Sequence, residues 1–426
     1  MDAFVGAVIG SSREVGMAGA LAGVAEGLEG VSRNPAALAV RDPLDDDFFD
    51  WSMMLSFANA GSFGRNSIYP GADFEPSTGV LSSLVGLQLQ FGPVGVGAAV
   101  RLLRYTVPTA MGLVVVSMPQ TYAGAALALA DGEWVLGAGV RVQDMDVSIG
   151  DADVQFTGTS PTAGLLWQPL DRPYRVGLSF GASVSSRPEN TGGESAAAPL
   201  ALPKTVSMPL EVRMGFAYQF GERPFNHRFV NYRWLQRRAE AGVREQSCER
   251  MVQLGAEHGV SGSCRALRRS HRGSPWMVDA EREREAALAE AANEVEQERE
   301  RRSRGRRAEE GRYHLLSAEA ALVGTNADAV AVGSFIRQEA VRSGSRVAVE
   351  LRLGYESEPW RNRLRTRLGG YLEPARVSGE HYRPHGTASL ELRLFHWDWL
   401  ARSLALTGAI DASAEWMNLS VGVSFW

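Results

Sequence analysis

The sequence lacks most of what would mark a helical membrane protein, a disulfide scaffold or a nucleic-acid binder. No run of about 18 uncharged apolar residues occurs, so no helix in it is long and apolar enough to cross a bilayer. Hydrophobic residues make up 45% of the chain and the mean hydropathy is −0.15. A membrane location is not excluded by those values, because a transmembrane barrel turns half of each strand to a polar lumen and averages like a soluble protein. Lysine is nearly missing: Lys204 is the sole one, and every other basic residue is Arg. The 44 basic and 49 acidic residues are interleaved, with a net charge of −5, which argues against nucleic acid as a partner. Only two cysteines occur, Cys248 and Cys264, close together in one segment. Their spacing suits a loop-closing disulfide in an oxidising compartment as well as it suits two free thiols. Met1-Asp2 opens onto neither a basic stretch nor an apolar core, so no secretory signal is expected within this chain.

Chemistry-bearing motifs are also scarce. No Ser, His and acid grouping and no phosphate-cradling glycine motif stands out, so neither enzymatic activity nor a cofactor is expected. His381-x-x-x-His385 has the spacing of a helical metal pair, but Gly379 and Pro384 make the segment read as a loop. Two ligands are fewer than a zinc site needs, so no metal site is expected.

What is present is alternation with period two. Leu210, Val212, Met214, Phe216, Tyr218 and Phe220 alternate with Glu211, Arg213, Gly215, Ala217 and Gln219. Val347, Val349, Leu351, Leu353 and Tyr355 alternate with Arg346, Ala348, Glu350, Arg352 and Gly354, and Leu390, Leu392 and Leu394 with Ser389, Glu391 and Arg393. A half-buried soluble strand gives the same pattern. Here, however, the polar faces carry Glu-x-Arg pairs that suit a wet lumen, and the segments run to about ten residues or more, as a tilted membrane crossing requires. Tight turns at Gly92-Pro93, Asp131-Gly132, Asp171-Arg172-Pro173 and Glu358-Pro359 alternate with longer connections.

Strands are therefore expected near 51–59, 82–91, 94–105, 119–130, 133–149, 158–169, 173–187, 205–220, 313–324, 343–356, 362–376, 385–397, 401–411 and 415–426. The count predicts an all-β, 14-stranded antiparallel transmembrane β-barrel surrounded by outer-membrane lipid, with tight turns in the periplasm and long loops outside. The last strand turns Met417, Leu419, Val421, Val423 and Phe425 to one face and ends on Trp426. Arg101, Arg141, Glu211, Arg213, Glu350, Arg352, Glu391 and Arg393 fall on the lumen face. Arg101 and Arg141 offer either a carboxylate-attracting charge or partners for lumen acids. Val107–Met118, with Met111, Leu113 and Val115, is unusually apolar for an extracellular connection; it reads as a binding surface or as lipid-facing strand.

Two segments do not alternate. Residues 221–312 form a helical insertion, dense in Glu and Arg from Asp279 onward. It follows the eighth strand, which places it in the periplasm, either as a solvated charged helix or as a docking arm for a protein or cell-wall partner. Residues 1–50 are punctuated by Gly10, Gly16, Gly19, Gly23, Gly27 and Gly30 and are too rich in Gly and Ala to make a core of their own. Within a barrel such a segment serves as a plug, its glycines letting backbone approach the wall. The domains expected are thus a plug at 1–50, strands one to eight at 51–220, the insertion at 221–312 and strands nine to fourteen at 313–426.

Gly16-Met17-Ala18-Gly19-Ala20, followed by Gly30-Val31-Ser32-Arg33-Asn34-Pro35-Ala36-Ala37-Leu38, resembles the hatch of the FadL family, outer-membrane transporters of long-chain fatty acids and other hydrophobic compounds. The resemblance covers the plug, the strand count and the aromatic end, and the insertion is a departure from it. It implies passive uptake of a hydrophobic ligand, caught outside and released sideways through a break in the barrel wall past the hatch. Asn34, Pro35 and Ala36 would then hold the hatch near that break, and Phe4 and Val5 would lie near the inner ligand pocket. The alternative is a structural or shuttle barrel of an envelope secretion or motility complex, docking partners through the insertion.

Overall fold

The computed structural model describes residues 1–41, 48–60, 79–109, 112–149, 152–188, 202–226, 230, 232–309, 312–326, 329–336, 338, 341–377, 381–397 and 402–425. Eighteen strands occur among them, in chain order: β1 Phe49–Ala60, β2 Gly79–Phe91, β3 Val94–Thr109, β4 Gly112–Leu129, β5 Trp134–Ile149, β6 Ala152–Trp167, β7 Tyr174–Gly181, β8 Val184–Ser186, β9 Val206–Met208, β10 Glu211–Gly221, β11 Tyr313–Val323, β12 Ala329–Val330, β13 Arg342–Ser343, β14 Ala348–Trp360, β15 Leu364–Glu373, β16 Arg383–Trp397, β17 Arg402–Ala412 and β18 Met417–Phe425. Fourteen close into an antiparallel barrel in the order β1-β18-β17-β16-β15-β14-β11-β10-β7-β6-β5-β4-β3-β2, and β8-β9 and β12-β13 form two small sheets of their own. Closure leaves no strand edge along the belt, as backbone groups facing hydrocarbon require.

Alternation sorts the side chains as the sequence predicts. Met214, Phe216, Tyr218, Phe220, Val347, Val349, Leu351, Leu353, Leu390 and Leu392 are exposed on the outside, while Glu211, Glu350, Arg352 and Glu391 are buried inside. On β18, Leu419 and Val421 face out and Asn418, Ser420 and Ser424 face in. Trp426 lies outside the described residues. At the end where β1 begins and β18 stops, aromatics gather on the outer face, with Trp134 stacked on Trp167 and Tyr174 on Phe216. Rings of this kind suit a membrane-water interface, where one side is apolar and the other wet.

The wall is uneven in height. β3, β4, β5 and β6 run to 16, 18, 16 and 16 residues, whereas β7, β10 and β11 have 8, 11 and 11. The sequence-expected strands 119–130 and 158–169 begin earlier, at Gly112 and Ala152, so stretches read as loops become wall. The expected turn at Glu358-Pro359 belongs to β14, and the chain turns instead through Arg361–Arg363. The expected strands 173–187 and 205–220 are each divided: β7 and β10 are wall, and β8 and β9 leave it as a separate pair.

Residues 1–41 lie inside the barrel with short helices α1 (Ser12–Gly16) and α2 (Gly27–Gly30), a 3-10 helix at Pro35–Ala39, and irregular backbone between them. A further short helix, α6 (Val332–Ile336), lies between β12 and β13. Residues 229–309 separate as a compact unit of their own, built from α3 (Tyr232–Glu257), α4 (Cys264–Ser270) and α5 (Pro275–Glu309). Its core is small and lies at one end: Met251, Leu267, Met277 and Ala280, with Trp276 stacked on His258. Elsewhere its helices carry exposed pairs such as Glu240–Arg244 at 3.0 Å, each worth only a few tenths of a kcal/mol. Cys248 and Cys264 are free thiols here, so the disulfide reading is not realised. The Cys264 sulfur instead packs 3.9 Å from the Met251 sulfur. Burial, followed by the neighbouring Cys248 thiol, pushes the Cys264 thiol up to about 11.

Candidate functional site

Backbone without regular structure must find partners elsewhere when it is buried, and here the wall supplies them. Glu319 accepts from Leu21 N and Ala22 N at 3.1 and 2.8 Å, and Arg352 donates to the carbonyls of Ala18 and Gly6 at 3.0 and 3.2 Å. Ser317, Ser179 and Thr387 donate to the carbonyls of Ala20, Arg33 and Gly16, and Gln88 and Gln90 to that of Leu38. The polar inner face thus serves as the hatch's hydrogen-bonding surface. The charges of the Glu-x-Arg pairs, expected to meet opposite charges on neighbouring strands, do so at Glu391, which meets Arg367 of β15 at 2.5 Å, and at Arg213, 3.9 Å from Glu319 of β11. Glu350–Arg352 pairs within its own strand at 3.0 Å, both side chains 2% exposed beneath the hatch.

Ion pairs complete the attachment. Arg13 reaches Glu356 on β14 and, within the hatch, Glu26, each at 2.9 Å, while Arg33 pairs with Glu14 inside the hatch at 2.8 Å. Arg175 donates to Glu26 and Val24 O while its guanidinium stacks on Phe225, 3.8 Å from the ring centre.

On the opposite wall the fit is steric. Asn34 caps the 3-10 helix by accepting from Ala36 N at 3.0 Å, Pro35 opens it, and the Asn34 amide donates to Ala22 O and Leu165 O at 3.1 and 3.2 Å. Three wall glycines make room for this turn. A Cβ at Gly164 would stand 2.0 Å from Asn34 Oδ1, at Gly137 2.3 Å from Ala36 N, and at Gly95 1.7 Å from Leu38 O. The Asn-Pro-Ala motif is therefore seated in a groove cut into β3, β5 and β6.

Above the hatch the polarity of the tall wall inverts. Lower on β3–β6 the outer face carries Val94, Val100, Leu127, Trp134, Leu136 and Val140. Higher up it carries Arg104, Ser117, Asp144, Asp146, Gln155, Thr157 and Thr159, with Leu113 and Val115 as the apolar exceptions. The inner face there is apolar: Leu103, Tyr105, Val114, Val116, Met118, Met145, Val147, Val154 and Phe156 form one buried cluster with Val206, Phe335 and Trp416. Residues Met1, Ala3, Ala7 and Ile9 fill it. This is an apolar chamber with a largely polar outer wall, occupied by Met1, Ala3, Ala7 and Ile9.

Of the sequence-predicted ligand contacts, Val5 packs against this cluster, whereas Phe4 belongs to a small separate one with Val323 and Ala348. Met111 lies outside the described residues. Leu113 and Val115 stand on the outer face, Leu113 at 55% exposure, and the residues that reach the chamber from this strand are Val114, Val116 and Met118. The correction follows from parity: the segment is strand rather than loop, so neighbouring residues point to opposite sides.

Two inward arginines differ in their partners. Arg141 pairs with Glu211 at 3.2 Å. Arg101 donates to Ile9 O at 2.6 Å and to Gln120, and has no acidic partner among the described residues. It lies between two cavities of about 10 Å³, one lined by Ala3, Val5, Ile9, Leu103 and Met118, the other by Leu28, Val31, Met54, Leu84 and Ala99. Each has room for roughly a single water. Tyr105, two inward positions further along β3, keeps a buried hydroxyl with no hydrogen-bond partner among the described residues. His385, which the sequence reads as a loop residue, lies on β16 between Glu373 and Asp411, 2.9 Å from each.

No protein-family model and no curated protein sequence matches the chain. Among solved structures it is similar to the Pseudomonas putida toluene transporter TodX, with a TM-score of 0.51 and 10% identity over 98% of both chains. The fold is that of the FadL type. A Pseudomonas aeruginosa FadL homologue also matches, at a TM-score of 0.49 and 10% identity over 98% of this chain and 96% of that one. The Ralstonia pickettii toluene transporter TbuX follows at 0.48 and 9%, over 98% and 97%. At such identity the likeness is one of fold alone.

Proposed function

We propose that the protein is an outer-membrane channel for passive uptake of hydrophobic small molecules, with the upper chamber as its binding site and residues 1–9 as the removable filling. The observation that carries this reading is the inverted polarity of β3–β6, since an apolar interior behind a largely polar outer wall does nothing for membrane insertion and serves a cargo. TodX is a toluene transporter, and cargo of that general character fits an apolar chamber. Arg101, without an acidic partner among the described residues, extends the range to amphiphiles with one acidic head, such as long-chain fatty acids. The axis is filled by the hatch, so the cargo leaves sideways. Nothing in this reading calls for catalysis.

Radiolabelled toluene and oleate, offered to cells whose own hydrophobic channels are deleted, test the proposal. Expression of the chain should accelerate uptake of at least one probe, and no acceleration of either would overturn the reading. The charged helical unit supports a second reading, a barrel that docks an envelope partner in the periplasm, because its thin core leaves long helical faces uncovered.

A further inference from the structure

One hydrogen-bonding group in the chamber is left unspent. Of the buried side chains that form it, only those of Tyr105 and Trp416 carry an oxygen or a nitrogen, among the described residues. The Trp416 indole N–H donates to Asp411 at 3.1 Å. The Tyr105 hydroxyl is buried and has no hydrogen-bond partner among the described residues. Tyr122, Tyr313 and Tyr371, which also turn inward, each spend theirs: Tyr122 donates to Gln120 at 3.1 Å, Tyr313 to Glu356 at 2.8 Å and Tyr371 to Asp411 at 2.7 Å.

The surroundings explain why nothing in the protein reaches it. Tyr105 lies opposite Val80 on β2 and Val116 on β4, and Leu103 occupies the inward position before it. β3 is paired with both neighbours through this stretch, so the backbone amides and carbonyls beside Tyr105 serve the ladder. Met1, Ala3, Ala7 and Ile9, which fill the chamber, bring side chains without oxygen or nitrogen. Toward the hatch the polar groups satisfy one another: Arg101 donates to Ile9 O and Gln120, Gln120 to Gln143, and Gln143 to Asp144 O at 2.9 Å.

We propose that Tyr105 is a specificity-determining residue of the chamber, and that it selects uncharged apolar molecules carrying one carbonyl or ether oxygen. The proposal rests on the uptake reading and names a class of cargo for it. A phenylalanine would fill the same space without stripping a hydroxyl of its water, so in the cargo-free protein the Tyr105 oxygen costs stability and returns none. Buried polar groups are hydrogen-bonded in the great majority of cases, and the exceptions call for a reason. In a binding chamber the reason is the ligand: a bare donor is satisfied by what binds there, and such a site rejects an analogue that lacks the acceptor.

The acceptor is uncharged, because Val80, Leu103 and Val116 offer no counter-charge to an ion placed against the hydroxyl. An acid head belongs instead with Arg101, on the far side of Leu103 along β3. The two residues therefore sort cargo by different chemistry, Arg101 by charge and Tyr105 by a neutral acceptor.

Acetophenone and ethylbenzene test this, since they share ring and chain length and differ by a carbonyl in place of a methylene. Binding of each radiolabelled probe to the full chain in detergent micelles is measured by equilibrium dialysis against empty micelles. The wild-type protein should hold acetophenone about ten-fold more tightly than ethylbenzene, the effect of one hydrogen bond to a group otherwise left bare. Tyr105→Phe should bring the two affinities to within about two-fold of each other. Tyr218→Phe, on the outer face of β10, is the control and should keep the full preference. Equal binding of the two probes by the wild type, or an undiminished preference in Tyr105→Phe, overturns the role of Tyr105 while the channel reading stands on uptake of toluene or oleate. Saturable binding of neither probe overturns the chamber as a binding site along with it.

Stability separates a ligand-binding hydroxyl from a structural one. Tyr105→Phe loses no bond within the protein, so it should keep the heat-modifiable electrophoretic mobility that marks a folded barrel and unfold in urea at a midpoint no lower than that of the wild type. A lower midpoint would mean that the hydroxyl is bonded inside the protein itself, and would overturn the assignment.

Discussion

Arg101 and Arg141 fall on inward positions of β3 and β5, and alternation in the sequence places both there. Their different partners were not legible, because Glu211 is brought to Arg141 only by closure of a barrel whose β7 and β10 are short. That Arg101 meets no acid among the described residues is thus a property of the fold. Replacing it with Met should reduce uptake of oleate about ten-fold, the effect of losing one charge-assisted hydrogen bond, and leave toluene uptake unchanged. Competition between the two probes in the variant reads this directly. The glycines of the groove are the counterpart on the steric side. The sequence shows Gly95, Gly137 and Gly164 as ordinary strand glycines, and only the seated hatch explains them. Gly164→Val forces the side chain onto Asn34 and Pro35 and should destabilise the folded barrel by about 1–3 kcal/mol, measured by urea unfolding in detergent micelles.

Strand identity and facing were legible wherever apolar and polar residues alternate, as from Leu210 to Phe220, because the two solvents of a barrel impose that period. Strand length was not. Along Leu113–Met118 the inner residues Val114, Val116 and Met118 are apolar, and so are Leu113 and Val115 on the outer face, so the alternation that would have marked strand is blurred and the segment reads as a loop. At β7 and β10 the opposite occurred: alternation runs on into β8 and β9, which are strands but have left the wall. The helical unit follows another logic. Phe225 and Asn226, which precede it, belong to the barrel through Arg175. Replacing residues 230–309 by a short Gly-Ser linker should therefore preserve barrel folding and probe uptake to within about two-fold of wild type, as heat-modifiable mobility and uptake assays would show. Loss of uptake in the folded deletion would tie the helices to transport.

At the scale of the whole molecule, the barrel, its plug and its Asn-Pro-Ala turn were legible from strand count, glycine spacing and resemblance. The chamber was not, since it is assembled from residues spread from Val80 on β2 to Trp416 with Met1, Ala3, Ala7 and Ile9 folded into it. Central to the account is that this space, filled by Met1, Ala3, Ala7 and Ile9, exchanges its filling for cargo. Crystals grown with 12-bromododecanoate locate the cargo through the anomalous signal of bromine. The account predicts a bromine peak within the chamber, among Tyr105, Met145 and Phe156, with residues 1–9 displaced. Bromine confined to the outer belt, with residues 1–9 unmoved, would contradict it.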